Sequence, residues 1–165
     1  MTRQVLSTQV SEGTPSLDAW VALLRAHAAL TRELSADLVN QHGLTINDYE
    51  VLLHLARADD RQLRRVDLAG RLMLTASGIT RLLDGLERSG WVEKGRCSSD
   101  ARVTYAVLTD AGLSKLREAS GTHVGGICDA FQQRYSEEEI TTLGELLSRL
   151  PLDGPVAASC SPPED

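Results

Sequence analysis

The chain has 165 residues, 42% of them apolar and 24% charged, the composition of a folded domain with a core of its own rather than a disordered segment. Taken as a sum, the formal charge of −6 argues against a nucleic-acid partner. It is unevenly spread, however. Between residues 61 and 102 nine Lys or Arg face five acids, a local balance of +4 that leaves −10 on the remainder.

In chain order, residues 1–15 are expected to be a flexible N-terminus, with no apolar stretch after positive charge that would serve as a secretory signal. Thr14-Pro15-Ser16 reads as a turn, with Ser16 capping a long helix over 16–42. Apolar residues recur there at Leu17, Trp20, Val21, Leu24, Ala28, Leu34 and Leu38, and Gly43 suits a left-handed stop. Thr45 and Asp48 form a capping pair for a second helix over 46–58, with Tyr49, Leu52, Leu53 and Leu55 inward, and Asp59-Asp60-Arg61 breaks it.

A short helix over 65–72, anchored by Val66, Leu68 and Leu72, meets a tight turn at Leu74-Thr75. The next helix, over 75–89, has Thr75 as its N-cap and Ile79, Leu82, Leu83 and Leu86 as its apolar stripe. Ser89-Gly90 ends it. A strand over 91–94, a polar loop over 95–101 and a strand over 103–108 then form a hairpin. Thr109-Asp110 caps a fifth helix, from Ala111 to about Arg134, in which Gly121, Gly125 and Gly126 predict a bend or a close helix contact. Ser136 with Glu139 is a capping box for a last helix carrying Ile140, Leu143, Leu146, Leu147 and Leu150. Pro151 closes it, and residues 151–165, with four of the five prolines, are expected to be a disordered tail.

Two short helices around a tight turn, followed by a hairpin, predict a mainly α fold with a small β-hairpin wing: a winged helix-turn-helix over 16–150. Such a fold offers one helix to the major groove of double-stranded DNA. The candidate contacts are Thr75, Ser77, Gly78, Thr80 and Arg81 on that helix, Arg96 and Arg102 in the wing, and Arg64 and Arg65 at the entry to the preceding helix. Ser77 and Thr80 offer hydroxyls, Gly78 lets the backbone approach closely, and Arg81 suits guanine or phosphate. Arg81 has a bland alternative, an ion pair with Asp84 at i+3, and Arg64 and Arg65 are equally well read as a solvated cluster. The long helices over 16–42 and 110–150 carry more apolar stripe than one small core absorbs, which predicts a homodimer on a palindromic site.

The runs 68–72 (LAGRL), 77–87 (SGITRLLDGLE), 90–93 (GWVE), 100–102 (DAR) and 106–112 (AVLTDAG) resemble the multiple-antibiotic-resistance regulator (MarR) family, over roughly residues 48–117. The resemblance implies a homodimeric winged-helix transcription factor, usually a repressor, and many members release DNA when a small aromatic or phenolic molecule binds. It also implies that Arg102 enters the minor groove, steadied by Asp100. Some members sense urate or related aromatic compounds through a site that includes a tryptophan on the first helix, a type and general location that Trp20 matches. With His27, Tyr49 and His54 it makes a candidate effector pocket, although a tryptophan in the core or at the dimer interface is the simpler reading.

Neither the three cysteines nor the four histidines show metal-ligand spacing, so no cofactor is expected. The sequence has no Gly-x-Ser-x-Gly elbow and no phosphate-binding glycine loop, which argues against an enzyme. No apolar run spans a bilayer, and the odd, scattered cysteines suit a reducing cytoplasm. The rival readings are a protein-binding winged helix and a thiol-based redox regulator acting through Cys97.

Overall fold

The computed structural model describes residues 14–96 and 104–150. The expected termini over 1–13 and 151–165, and Cys97, Asp100 and Arg102 of the loop, lie outside the described residues, as does the side chain of Arg96. The elements are α1 (Pro15–His42), α2 (Ile46–Ala56), a single 3₁₀ turn (Asp59–Arg61), β1 (Gln62–Arg64), α3 (Arg65–Arg71), α4 (Ala76–Arg88), β2 (Val92–Arg96), β3 (Thr104–Leu108), α5 (Asp110–Gln132) and α6 (Glu137–Leu147).

The helix starts follow local chemistry. Thr45 and Asp48 form a reciprocal capping box, as do Ser136 and Glu139, while Thr75 and Thr109 each accept the amide three residues on. α1 departs from the expectation. It begins at Pro15 with Thr14 as N-cap and no side-chain cap bond, so Ser16 lies inside the first turn. Proline fits the first helical position because its φ is already helical and it has no amide to leave unpaired.

The core gathers Leu38 of α1, Leu44, Tyr49, Leu52 and Leu55 around α2, Leu68 of α3, Ile79, Leu83 and Leu86 of α4, Val92 and Leu108 of the strands and Leu116 of α5. Val66 does not join them and is 72% exposed. Two residues before Leu68, it sits about 200° round the helix from the face that packs. The wing is a three-stranded antiparallel sheet in the order β1-β3-β2, with Leu63 opposite Ala106 and Val92 opposite Leu108. The expected hairpin accounts for two of these strands. β1 is an addition: three residues are too few for an alternation to be told from chance.

α5 is continuous through its glycines and packs along α1. Gly126 makes the close contact, since a Cβ there would lie 3.0 Å from Leu34 Cδ2, while Gly121 and Gly125 face open space. At the N-terminal end of α5, Gly112 sits so tightly under the wing that a Cβ would collide with the Trp91 carbonyl oxygen. Thr109 completes that joint, its amide donating to Trp91 O at 3.1 Å and its hydroxyl to Gly90 O at 2.7 Å.

Candidate nucleic-acid interface

α4 is set by its buried stripe. With Ile79, Leu83 and Leu86 inward, the geometry of the helix leaves Thr75, Ala76, Ser77, Thr80, Arg81, Asp84 and Arg88 exposed. The hydroxyls on this face are already engaged. Thr75 Oγ1 accepts the Gly78 amide at 3.1 Å and lies 3.1 Å from Ser77 Oγ, and Thr80 Oγ1 donates to Ala76 O at 2.7 Å. Thr80 thus shows only lone pairs to the outside. Gly78 has a packing reason to be glycine, because a Cβ there would press on Thr75 Oγ1 at 3.2 Å and on Leu74.

The cations divide into paired and unpaired. Arg81 makes no ion pair or hydrogen bond among the described residues. The alternative partner, Asp84, turns instead toward Arg65 and Lys94, each at 3.9 Å, and Lys94 also meets Glu87 at 2.8 Å. Arg65 is therefore a tie between α3 and α4, its side chain 22% exposed and its Nη2 buried without a hydrogen bond among the described residues. Arg61 pairs with Asp110 at 2.9 Å, joining the start of the wing to the start of α5. Arg64 is exposed on β1. The role of Asp84 and Glu87 was missed from sequence, though two carboxylates at i,i+3 on one helix were the available signal.

The candidate effector residues are spread over different surroundings. Trp20 is 56% exposed on α1, and His27 is exposed near Glu50. Burial raises the Glu50 carboxyl above its ordinary value, partly offset by His27. Tyr49 is buried. Because Ser120 Oγ donates to Leu116 O, the Tyr49 hydroxyl donates to Ser120 at 3.2 Å, and its ring lies 4.5 Å from that of His123. His123, which gives no sequence signal, has its Nδ1 buried without a hydrogen-bond partner among the described residues, and burial lowers its pKa. His54 is half-buried and lowered by burial, then by Arg71 and Arg57. Two clefts lie beside α4, one lined by Arg81, Asp84, Glu87 and Arg88, the other by Gly43, Asp48 and Trp91 among others, and neither is lined by Trp20, His27, Tyr49 or His54.

A family model described as the MarR family matches residues 42–103, the span from the end of α1 through the wing loop. The chain is 35% identical to the HTH-type transcriptional repressor YetL of Bacillus subtilis (strain 168) over 112 residues, 66% of each protein. It is 32% identical to AbsC, a MarR family transcriptional regulator from Streptomyces coelicolor, covering 88% of this chain and 93% of AbsC with a TM-score of 0.71. The chain belongs to the MarR family. Sco3205, a MarR family transcriptional regulator from the same organism solved in complex with DNA, is 31% identical, covers 80% of this chain and 82% of its own, and has a TM-score of 0.73. This MarR-family protein is accordingly a DNA-binding transcriptional regulator rather than an enzyme, with a winged-helix fold. Among the described residues no helix is long and apolar enough to cross a membrane.

Proposed function

We propose that this MarR-family regulator is a repressor that binds a palindromic operator as a homodimer and is released by a small aromatic, phenolic or purine ligand. Residues 16–150 form one winged-helix unit in this reading, with 16–42 and 110–150 as its dimerisation helices. The observation that carries the DNA side is Arg81, a guanidinium with no partner among the described residues, on the exposed face of α4 beside Thr75, Ser77 and Thr80. Arg81 contacts guanine or phosphate. With its proton donated to Ala76 O, Thr80 is set to accept from the exocyclic amines of adenine or cytosine, and donating to a phosphate requires that bond to be given up. Arg102, steadied by Asp100, is assigned to the minor groove on the Asp100-Ala101-Arg102 pattern, with Arg96 and Arg64 toward phosphate.

The dimer rests on apolar surface that one chain leaves uncovered. Leu17, Trp20, Val21 and Leu24 are 36–56% exposed at helical spacing on α1, and Leu146, Leu147 and Leu150 are 38–50% exposed at the other end of the chain. The residues assigned to the ligand are Trp20 and His27 of α1 and Tyr49 and His54 of α2, on the residue types alone. The test is fluorescence anisotropy of the purified protein on DNA upstream of its own gene, repeated with aromatic acids, phenols and purines. Saturable binding that is weakened at least tenfold by Arg102→Ala and reversed by one of these compounds is the expected result. Binding indifferent to all of them removes the ligand-released repressor, and unchanged affinity in the variant removes the wing assignment.

A further inference from the structure

α3 and α4 end with the same hydrogen-bond pattern. After α3, Leu74 N–H donates to Ala69 O at 2.9 Å and Met73 N–H to Gly70 O at 3.2 Å; after α4, Trp91 N–H donates to Leu86 O at 3.0 Å and Gly90 N–H to Glu87 O at 3.0 Å. In both, the residue closing the inner bond is left-handed, with φ 51° at Met73 and 73° at Gly90. This stop normally uses glycine, because any Cβ crowds the backbone at positive φ. The end of α4 obeys that rule and the end of α3 breaks it.

Met73 is also 93% exposed, so a large apolar side chain stands in water. Its neighbours Leu72 and Leu74 are the residues that pack against the core. Glycine would close this turn with less strain and no exposed apolar surface. A side chain that disfavours the fold on two counts and buries almost nothing among the described residues has its use outside them.

Its position indicates that use. Met73 stands two residues before Thr75, the N-cap of α4, on which the exposed Ser77 and Thr80 follow. A helix-turn-helix aims this end of its second helix at base edges. The apolar group on those edges is the C5-methyl of thymine, and a flexible thioether is well suited to cover it. We propose that Met73 is a specificity-determining residue that packs on a thymine methyl in each operator half-site, an inference that rests on α4 being the reading helix.

The test compares the full-length protein with Met73→Gly and Met73→Leu by thermal unfolding and by anisotropy on the upstream duplex, with thymine or with uracil replacing it throughout. Met73→Gly is expected to unfold at the same or a higher temperature yet bind the thymine duplex about fivefold more weakly, while Met73→Leu retains most of the affinity. Uracil weakens the wild type by a similar factor and leaves Met73→Gly nearly unchanged. Equal affinity of Met73→Gly and wild type for the thymine duplex, or equal sensitivity of the two to uracil, overturns the proposal. Arg81→Ala separates the two readings: if it loses affinity while Met73→Gly does not, α4 still reads DNA and only the methionine assignment falls. If Arg81→Ala also binds normally, the reading helix itself is wrong.

Discussion

Arginines of one local cluster are put to different uses by their partners. Arg81 has none among the described residues and stays available to a polyanion, whereas Arg65 is drawn under Asp84. Arg81→Ala is expected to leave the melting temperature within about a degree and weaken operator binding by about tenfold or more, the cost of one good base or phosphate contact. Arg65→Ala should do the reverse, lowering the melting temperature by a few degrees because it leaves Asp84 short of a partner and opens packing between α3 and α4. The dependence of its affinity on salt should stay unchanged. Parallel calorimetry and salt titrations of the two variants check this, and a shared phenotype would mean that the ion-pair geometry does not sort them.

Among the elements, the joint between α4, the wing and α5 is closely packed. Gly112→Ala forces a methyl against the Trp91 carbonyl, and overpacking of this kind costs about 1–3 kcal/mol, so a melting temperature lowered by several degrees is expected; no change would show that the strand relaxes freely. How far such elements can be read from sequence depends on the signal. Capping residues and long stripes are legible because they act within one helix: Thr45 with Asp48, Ser136 with Glu139, and Ile79 through Leu86 all stand where their spacing puts them. β1 was illegible because a three-residue strand exists only through its pairing with β3. Val66 was misplaced because a helix of seven residues offers too few positions to fix its inner face. In the candidate site, the identity of the exposed residues of α4 followed from the stripe. The partners of Asp84 did not, since Arg65 and Lys94 reach it from other elements. Nor did the setting of Tyr49, which Ser120 and His123 of α5 provide.

For the whole molecule, the uncovered leucines near the two ends of the chain and the half-buried histidines each predict a bulk property. Leu24→Glu and Leu147→Glu place charge on surface assigned to the partner copy. Sedimentation should show monomers that lose operator affinity, and dimers of wild-type strength would redirect the search for the interface. His54 and His123 have pKa values lowered in the fold, so between those values and the ordinary 6.5 the unfolded chain binds more protons. Stability is therefore expected to be complete above that range and to decline as pH falls through it, with His123→Phe, which keeps a ring beside Tyr49, reducing the slope. Glu50 acts in the opposite sense, its raised carboxyl costing stability as pH climbs from 4.5 through its higher folded value. Melting temperatures recorded from pH 8 to pH 4 distinguish the contributions, and identical curves for wild type and His123→Phe would remove His123 from the account. The Gly112–Thr109 joint carries one more consequence. Because the first turn of α5 sits directly on the root of the wing, a shift of that long helix is expected to carry the wing with it, like a boom stepped on its mast. In the proposed dimer, two heads coupled in this way would change their separation as α5 turned, and DNA affinity would then be set far from any base.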